Sequence, residues 1–398
     1  MSVDVAMMKA GHPNKCVPET SYESEVAPKL EEIYSSLGIS ADALAQASFD
    51  PEKHLRYYND EMEKHRYHNT RTLTMEELGL TNKKQISSIG VSDPFPLFTD
   101  EAIAIMKAEI LQKDIFMKYA RRNHSSTSGM DCIIRGYVKT GEEIHTPFVH
   151  SAWTHPKTLE LISHIAGVEL EVVMDYEIAH VNMAMEDKSA VDGDKSIREA
   201  QARARQGLSD GSDIPAIVGW HNDSYPFVCV LMLSDTTDMI GGETSLRMGG
   251  ADDGTPKKVC SVPGPQLGFA SVLQGRLIEH IAPKPVGVTE RITMVTSYRA
   301  KDPLKHEGSV LATVKPEINS GTRYNDFYPE WINYRLDILE KRFAHLRATM
   351  SDSDGNFNKE SSMDYLKQLD SYLKDTYEYM EVSDRDIKKL KKIQGIVE

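Results

Sequence analysis

Short β-rich segments between residues 130 and 300 constrain the fold of this chain more than any other feature of its sequence. They are rich in β-branched and aromatic residues, and turn-forming glycine and proline residues separate them. Regular helical crossovers are missing between them, which favours antiparallel strands in a sandwich, jelly roll or barrel. The predicted strands cover residues 176–185, 216–220, 227–233, 244–248, 268–273 and 291–298.

Helical patterns flank and interrupt this β-rich region. Before it, apolar residues at helical spacing end at Gly38, and Thr99 is a good N-cap for a longer helix that runs through Met117. Within the region, one further helix is predicted, with Thr154 as its N-cap and Gly167 as its end.

After the β-rich region, an apolar stripe alternates in steps of four and three residues, which is typical of a long amphipathic helix. The stripe either packs on the chain's own core, the commoner outcome, or pairs with a second copy in a homodimer. It consists of Ile332, Leu336, Leu339, Phe343, Leu346 and Met350. The patterns predict a helical or irregular N-terminal region at 1–125 that packs on the core, a β core at 126–300 and a C-terminal helical extension at 301–398.

The charge of the chain argues against nucleic acid as a partner. Its formal net charge of −14 repels phosphate backbones. The basic cluster at residues 388–392 closes a predicted terminal helix, where cations are favoured. Four cysteines without a CxxC pair are typical of a reducing compartment, and neither a signal peptide nor a membrane-length apolar run is evident. We therefore expect a cytoplasmic protein that binds neither nucleic acid nor membrane.

A histidine and an aspartate stand two residues apart where a predicted strand ends. Among the 14 histidines, only His221 has a carboxylate two residues later, Asp223, and the pair follows the apolar run 216–219. Alternate residues of a strand point to the same side, so this spacing presents both side chains together. Two imidazoles and one carboxylate on one face form the usual site for redox-active iron(II), with positions left open. The third ligand must then come from a distant strand.

His280 is the candidate for that third ligand, because it follows another β-type stretch. Arg291 and Thr293 come next, and they share one face of a predicted strand. A guanidinium fork and a hydroxyl on one face suit a carboxylate. Taken alone, His280 could be an ordinary core histidine and Arg291 could form a surface salt bridge. The order and spacing of these residues together favour the metal site.

This order, HxD followed by His and then by Arg-x-Thr, resembles the signature of the iron(II)- and 2-oxoglutarate-dependent oxygenases. Further segments are similar to a biosynthetic branch of that family common in fungi, and the likeness covers about residues 95–345. The similar segments are 154–156, 165–168, 220–235, 241–244, 272–276 and 290–296. The resemblance implies an α+β protein whose double-stranded β-helix core, a jelly-roll or cupin-like structure, is flanked by N- and C-terminal helices.

The resemblance also implies roles for the site residues. His221, Asp223 and His280 would be the ligands of iron(II). Arg291, assisted by Thr293, would hold the far carboxylate of the cosubstrate 2-oxoglutarate, and dioxygen would be the second cosubstrate. The expected activity is oxidation of an unactivated C–H bond of a small molecule by hydroxylation, desaturation or ring closure, with succinate and carbon dioxide as coproducts.

Three further residues are candidates for binding small molecules. Asn182, on the strand before the metal pair, is a candidate hydrogen-bonding partner of 2-oxoglutarate. Arg135 is the candidate cation for a carboxylate substrate, with Tyr137 beside it, and the alternative is an arginine exposed in a loop. Some members of the fungal branch that this chain resembles act on free amino acids in secondary metabolism, including enzymes that make an aziridine from valine.

Three other functions stay open at this point. A redox-silent cupin-type metal protein could keep the same ligands but would have no use for Arg291 and Thr293. A catalytically inactive scaffold would not need an intact ligand set. A zinc hydrolase would need a general base, and Glu279 points away from the metal if His280 points toward it.

Overall fold

Two antiparallel sheets form the framework of the molecule, as seen in a computed structural model. The structure describes residues 15–81, 84–122, 131–185, 216–237, 243–249, 258–283 and 290–386, together with residues 199, 200, 202–204, 206, 211, 214, 239 and 388. Its strands are β1 Thr72–Thr74, β2 Ile89–Ser92, β3 Phe95–Pro96, β4 Ala120–Arg122, β5 Cys132–Ile134, β6 Lys139–Thr140, β7 Glu143–Ile144, β8 Leu170–Val172, β9 His180–Met185, β10 Ala216–His221, β11 Phe227–Met232, β12 Ser245–Met248, β13 Lys258–Ser261, β14 Phe269–Leu273, β15 His280–Pro283 and β16 Glu290–Ala300.

The larger sheet has ten strands and contains most of the long ones. Its order is β1-β2-β14-β11-β16-β9-β5-β4, and β3 and β8 pair with β14 and β16 beside this path. The smaller sheet has the order β10-β15-β12-β13, and β6 pairs with β7 in a separate hairpin. Apolar side chains from both sheets, such as Val228 and Leu246, meet in one cluster, so the sheets pack against each other.

Helices precede, interrupt and follow the strands. They are α1 Glu19–Ser21, which continues through a π-helical turn at Tyr22–Val26 into α2 Ala27–Leu37, then α3 Ala41–Ala45, α4 Pro51–His54, α5 Arg56–Asn59, α6 Glu61–His68, α7 Asp100–Leu111, α8 Lys113–Tyr119, α9 Pro147–Thr154, α10 Pro156–Ala166, α11 Tyr324–Thr349 and α12 Lys359–Glu378. Mixed helix and antiparallel sheet therefore agree with the α+β prediction, and the double-stranded β-helix arrangement itself stays a prediction.

Each of the six predicted strands overlaps a strand of the structure, with shifted ends. The segment 176–185 begins as strand only at His180, because Asp175–Glu177 form a 3-10 turn. The run that starts at 216 extends through His221, so the first candidate ligand is the last residue of β10. The turn predicted at 241–242 and most of the basic cluster at 388–392 lie outside the described residues.

Two helix predictions needed correction. The helix capped by Thr99 ends at Leu111, because Gln112 adopts an extended ψ of 138° before α8 begins. The N-cap of α10 is His155 and not Thr154, because the residue before Pro156 is held in an extended conformation. Gly38 and Gly167 do end their helices, each with a positive φ that glycine adopts without strain.

The N-terminal region contributes strands as well as helices. β1, β2, β3 and β4 all join the larger sheet, although the sequence predicted this region to be helical or irregular. Each of these strands has only two to four residues. Strands this short show too few alternations for the sequence pattern to identify them.

The two faces of β16 have different surroundings. Ile292, Met294 and Tyr298 belong to the main hydrophobic core, which also contains residues of α7, α9 and α10. The alternate residues Arg291 and Thr293 line an internal cavity instead. Strand alternation therefore separates a face that stabilises the fold from a face that builds the site.

The C-terminal helices form a second core with residues 311–314. Leu339 of the predicted stripe is buried there, whereas Ile332, Leu336, Phe343 and Met350 stay exposed. The stripe is thus divided between an intramolecular contact and the surface, and the homodimer stays a prediction. In the described part of the chain, no helix is both long and apolar enough to cross a membrane.

Candidate metal centre and adjoining cavity

The HxD pair and His280 converge where two neighbouring strands of the smaller sheet meet. β10 ends at His221 and β15 begins at His280, and these two residues are directly paired in the antiparallel register. Asp223 lies in the turn after β10. Its Oδ1 is 3.5 Å from Nε2 of His221, and its Oδ2 is 3.5 Å from Nε2 of His280. One ligand atom from each residue lies within 4.8 Å of the others, so the three can share one ion.

Hydrogen bonds orient both imidazole rings. Nδ1 of His221 lies 2.8 Å from the carbonyl oxygen of Gly219, and Nδ1 of His280 lies 3.0 Å from that of Ile278. Each contact fits an Nδ1–H that donates to a carbonyl, which leaves Nε2 as the lone-pair nitrogen that a metal requires. Burial lowers the pKa of His280, which favours the same neutral form. Burial alone would also lower the pKa of His221, but the Asp223 carboxylate outweighs it and raises that pKa, so His221 would have to release its proton when a metal binds.

Asp223 is held in a close-fitting environment. Its backbone N–H donates to the carbonyl of Gly275 at 2.9 Å. A Cβ added to Gly275 would overlap Asp223 Oδ2 and lie 2.7 Å from Cγ, so only glycine leaves room for the carboxylate. Burial alone would raise the pKa of Asp223, but His280 and His221 outweigh it and hold the pKa below its usual value.

The donor set fits a divalent metal. Among the described residues, Asp223 Oδ2 is buried and has no hydrogen-bond partner, which is unusual for a carboxylate oxygen unless an ion belongs beside it. Two neutral imidazole nitrogens and one carboxylate form the facial set of non-heme iron(II) sites. These ligands are supplied by a strand end, a tight turn and a paired strand, a rigid frame of the kind that metal geometry needs.

A cavity of about 350 Å³ adjoins the three candidate ligands. Its walls come from the facing surfaces of both sheets, and apolar side chains such as Val230, Leu273 and Val295 cover much of them. Cavities that bind small molecules combine mostly apolar walls with a few polar groups in this way. The volume is near the lower end of the range for such sites, so it suits compact ligands.

Arg291, Thr293 and Asn182 occupy one end of this cavity. Arg291 and Thr293 are both buried, and both line the cavity as strand alternation predicted. Asn182 of β9 is paired with Thr293 in the register and also lines the cavity. Burial lowers the pKa of Arg291 to about 10, so its guanidinium stays charged at neutral pH. A cation and two hydrogen-bonding groups side by side form a receptor for a carboxylate.

Arg135 and Tyr137, the two candidates for the substrate, are placed differently. Arg135 lines the cavity and is only 1% exposed, so the alternative of a solvent-exposed loop arginine was wrong. It forms an ion pair with the buried Glu177. Tyr137 is in the main core, where its hydroxyl donates to the carbonyl of Ala179 at 2.9 Å, and it is not among the residues that line the cavity.

Several cavity residues were missed by the sequence analysis. The main ones are Glu177, His180, Tyr225 and Asn319. His180 had a usable signal, because it stands two residues before Asn182 on the same strand. Its pKa is lowered to about 3, first by burial and then by Arg135, so it is a neutral imidazole. The other three come from a 3-10 turn and from loops, where no periodic pattern marks them.

The outer face of the smaller sheet is occupied by a different cluster. Glu279 accepts a hydrogen bond from the Arg247 side chain at 2.6 Å, and the Arg247 guanidinium lies 4.3 Å from the centre of the Trp220 ring. The carboxylate of Glu279 is thus engaged on the face opposite His280, as strand alternation predicted. It does not line the cavity and could not act as a general base there.

Comparisons with known proteins give a likeness of fold only. No protein-family model matches the chain, and no curated protein matches its sequence. Among solved structures, the chain is similar to an oxidoreductase of the 2OG-Fe(II) oxygenase family from Burkholderia pseudomallei, with 17% identity, a TM-score of 0.27 and coverage of 45% of this chain and 70% of that one.

Two further solved structures are similar at the same level. The non-heme alpha ketoglutarate dependent epimerase SnoN from nogalamycin biosynthesis has 13% identity and a TM-score of 0.35, with 57% of this chain and 83% of that chain covered. A prolyl 4-hydroxylase from Phytophthora capsici has 11% identity and a TM-score of 0.33, with 88% and 96% covered. Values this low leave the assignment of function to the geometry of the site.

Proposed function

We propose that this protein is an iron(II)- and 2-oxoglutarate-dependent oxygenase that oxidises an unactivated C–H bond of a small molecule. One observation carries the proposal: the His221, Asp223 and His280 side chains and the buried Arg291–Thr293 pair line the same cavity. A metal alone would not require a buried guanidinium with a hydroxyl beside it. A dicarboxylate that binds the metal at one end needs such a receptor at its other end.

In this proposal each residue has one task. His221, Asp223 and His280 would hold iron(II), and the contacts of both histidine rings with backbone carbonyls would keep their Nε2 nitrogens available as ligands. Arg291 binds the C5 carboxylate of 2-oxoglutarate, with Thr293 and Asn182 as hydrogen-bonding neighbours. The apolar walls exclude water, which strengthens these ionic contacts. When bound, the iron couples oxidative decarboxylation of 2-oxoglutarate with dioxygen to oxidation of the substrate.

The competing functions are less well supported. A redox-silent cupin has no use for Arg291 and Thr293. A zinc hydrolase lacks its most obvious base, because Glu279 is engaged by Arg247 on the outer face. An inactive scaffold gives no reason for three metal-binding side chains and a buried receptor for a carboxylate to line one cavity.

Within this class, the proposed branch and the proposed substrates come from sequence resemblance alone. The resemblance points to a biosynthetic enzyme of a branch common in fungi, some of whose members act on free amino acids and make an aziridine from valine. Within this proposal the outcome is hydroxylation, desaturation or ring closure. Mass spectrometry of the product distinguishes a gain of one oxygen atom from a loss of two hydrogen atoms.

Succinate formation tests the proposed class. Purified protein is supplied with iron(II), 2-oxoglutarate, ascorbate, air and a panel of amino acids and small acids, beside a His221→Ala variant. His65→Ala is the matched control, because His65 is exposed on α6. We expect succinate to rise with a panel member in the wild type and the control, and to vanish in His221→Ala. Absence of succinate together with absence of 2-oxoglutarate binding would refute the proposal.

A further inference from the structure

The cavity has a second charged end, away from Arg291. Strand β16 runs along the cavity, with Thr293 and Ser297 both lining it. Four residues of extended chain span roughly 13 Å, so these two side chains mark separate ends. The segment before β9 lies along the Ser297 end, since Val173 N–H donates to the Ser297 carbonyl at 3.0 Å. Glu177 belongs to this segment.

At this end a buried ion pair faces the cavity. Arg135 and Glu177 both line it, with exposures of 1% and 2%. Tyr225 donates from its hydroxyl to Glu177 Oε1 at 2.9 Å. A buried ion pair contributes little net stability, because desolvation of the two charges offsets their attraction. Its position on a cavity wall therefore suggests a role in binding.

Arg135 also has hydrogen-bonding capacity to spare. Its Nε is buried, and within the described residues it has no hydrogen-bond partner. Buried donors are nearly always satisfied, and Arg135 is one of the residues that line the cavity, so we interpret this unpaired N–H as a donor available to a bound ligand. The residue is held firmly in place, because the Arg323 guanidinium donates to the carbonyls of Arg135 and Gly136 at 3.1 and 2.6 Å.

His180 lines the same cavity as the ion pair and the candidate metal ligands. Burial first, and then the charge of Arg135, lower its pKa, so it adds a neutral imidazole to the cavity wall. In the strand register it stands opposite Val295, one inward-facing position from Thr293. A compact ligand held by Arg135 and Glu177 would therefore share one cavity with His180 and the candidate metal ligands.

We propose that Arg135 and Glu177 form a zwitterion subsite, which binds the carboxylate and the ammonium group of a compact α-amino acid substrate. This inference rests on the proposed oxygenase function. A zwitterion offers an opposite charge to each member of the pair and keeps the buried site electrically neutral, whereas a ligand with one charge would leave a net buried charge. The apolar side chains of Ile133, Val295 and Val314 line the same cavity and suit an aliphatic substrate side chain.

The first test needs only the wild-type protein. Succinate formation is measured with a panel of aliphatic amino acids, each compared with its amide, which lacks the carboxylate, and with its 2-hydroxy acid, which lacks the ammonium group. We expect kcat/KM to fall at least about 30-fold for both analogues of the best amino acid, the lower limit for truncating one partner of a buried charge pair. Equal kcat/KM values for the amino acid and either analogue would overturn the subsite.

The second test replaces the pair together, because removing one partner would leave a lone buried charge. The variant Arg135→Met/Glu177→Met should bind manganese(II) and 2-oxoglutarate like the wild type in calorimetric titrations, but lose the stimulation by the amino acid. The matched control is Arg299→Met/Glu171→Met, which removes an ion pair between a buried arginine and a half-buried glutamate, neither of which lines the cavity. This control should keep the stimulation.

The outcomes separate this inference from the proposed function. Stimulation that survives in Arg135→Met/Glu177→Met would overturn the subsite. A wild type that binds manganese(II) and 2-oxoglutarate but responds to no amino acid would overturn the subsite and leave the oxygenase class standing. A wild type that binds neither would overturn both. If the double variant does not fold, the comparison of the amino acid with its amide and its 2-hydroxy acid in the wild type decides whether the subsite stands.

Discussion

Replacing Gly275 with alanine tests whether the surroundings of Asp223 are built to hold a metal ligand. The added Cβ would overlap Oδ2 of Asp223 and lie 2.7 Å from its Cγ, whereas carbon atoms in ordinary contact are roughly 3.5–4.0 Å apart. The carboxylate would therefore have to move by about 1 Å. Metal–ligand distances tolerate only about 0.2 Å, so the aspartate would no longer be able to serve as a ligand.

A shift of the backbone cannot easily remove this overlap. Asp223 N–H donates to the Gly275 carbonyl at 2.9 Å, so the two loops are tied together where the methyl group would have to fit. Overpacking of this kind lowers the free energy of unfolding by about 1–3 kcal/mol, which a typical domain survives. We expect a folded protein whose manganese(II) affinity is reduced roughly 100-fold or more, the upper range for losing a supporting contact of a metal ligand.

The assay combines calorimetric titration of manganese(II) with thermal unfolding followed by circular dichroism. Gly264→Ala is the matched control, because a Cβ at Gly264 would meet no atom within 4 Å. The control should bind manganese(II) as the wild type does. A folded Gly275→Ala protein with wild-type affinity would refute the reasoning, since Asp223 would then not need the space that the glycine leaves.

Three further predictions concern other buried ionisable residues. Arg291→Lys keeps a cation but loses the planar fork, so the Kd for 2-oxoglutarate in calorimetry should rise about 30-fold; an unchanged Kd would contradict the assigned role. Glu307→Ala leaves the buried Arg335 without its carboxylate, so urea denaturation should show about 3–5 kcal/mol less stability, and a loss below about 1 kcal/mol would contradict this. Burial raises the pKa of Glu109 from 4.5 to about 7, so the folded protein keeps a proton that the unfolded chain releases. The free energy of unfolding should therefore fall as pH rises from about 4.5 to 7, by up to about 1.4 kcal/mol per pH unit. In Glu109→Gln that slope should flatten, and an unchanged slope would assign it to another group.

The residues that sit on strands were the ones the sequence could locate. Arg291 and Thr293 are two positions apart on β16, and strand alternation places them on one side. Asp223 is also two positions from His221, but it lies in the turn after β10, so the turn and not strand alternation brings it beside His221. The convergence of these residues could not be derived from spacing alone. The register that places His221 opposite His280 depends on a long-range pairing of β10 with β15, and the resemblance to a known signature supplied that link.

The site residues on turns and loops could not be identified from strand alternation. Glu177 and Tyr225 meet across a large distance in sequence, and neither belongs to a periodic pattern. Arg135 was selected as a cation for the substrate, but its burial and its partner Glu177 depend on how these segments pack. The short strands β1 to β4 were not predicted for a related reason, since tertiary pairing and not local preference makes them strands.

The two ends of the cavity are built on different kinds of backbone, and this affects how the protein can change over generations. Arg291 and Thr293 belong to the central strand β16, where a one-residue slip would turn every inward side chain outward. Glu177, Tyr225 and Asn319 come from a turn and loops, where a change of chain length does not shift the register of a strand, although Glu177 and Tyr225 are themselves buried. Mutation can therefore retune what the second end recognises while the metal ligands and the strand-borne end stay as they are. Descendants of one such chain can diverge in the molecules they select and still share a single chemistry.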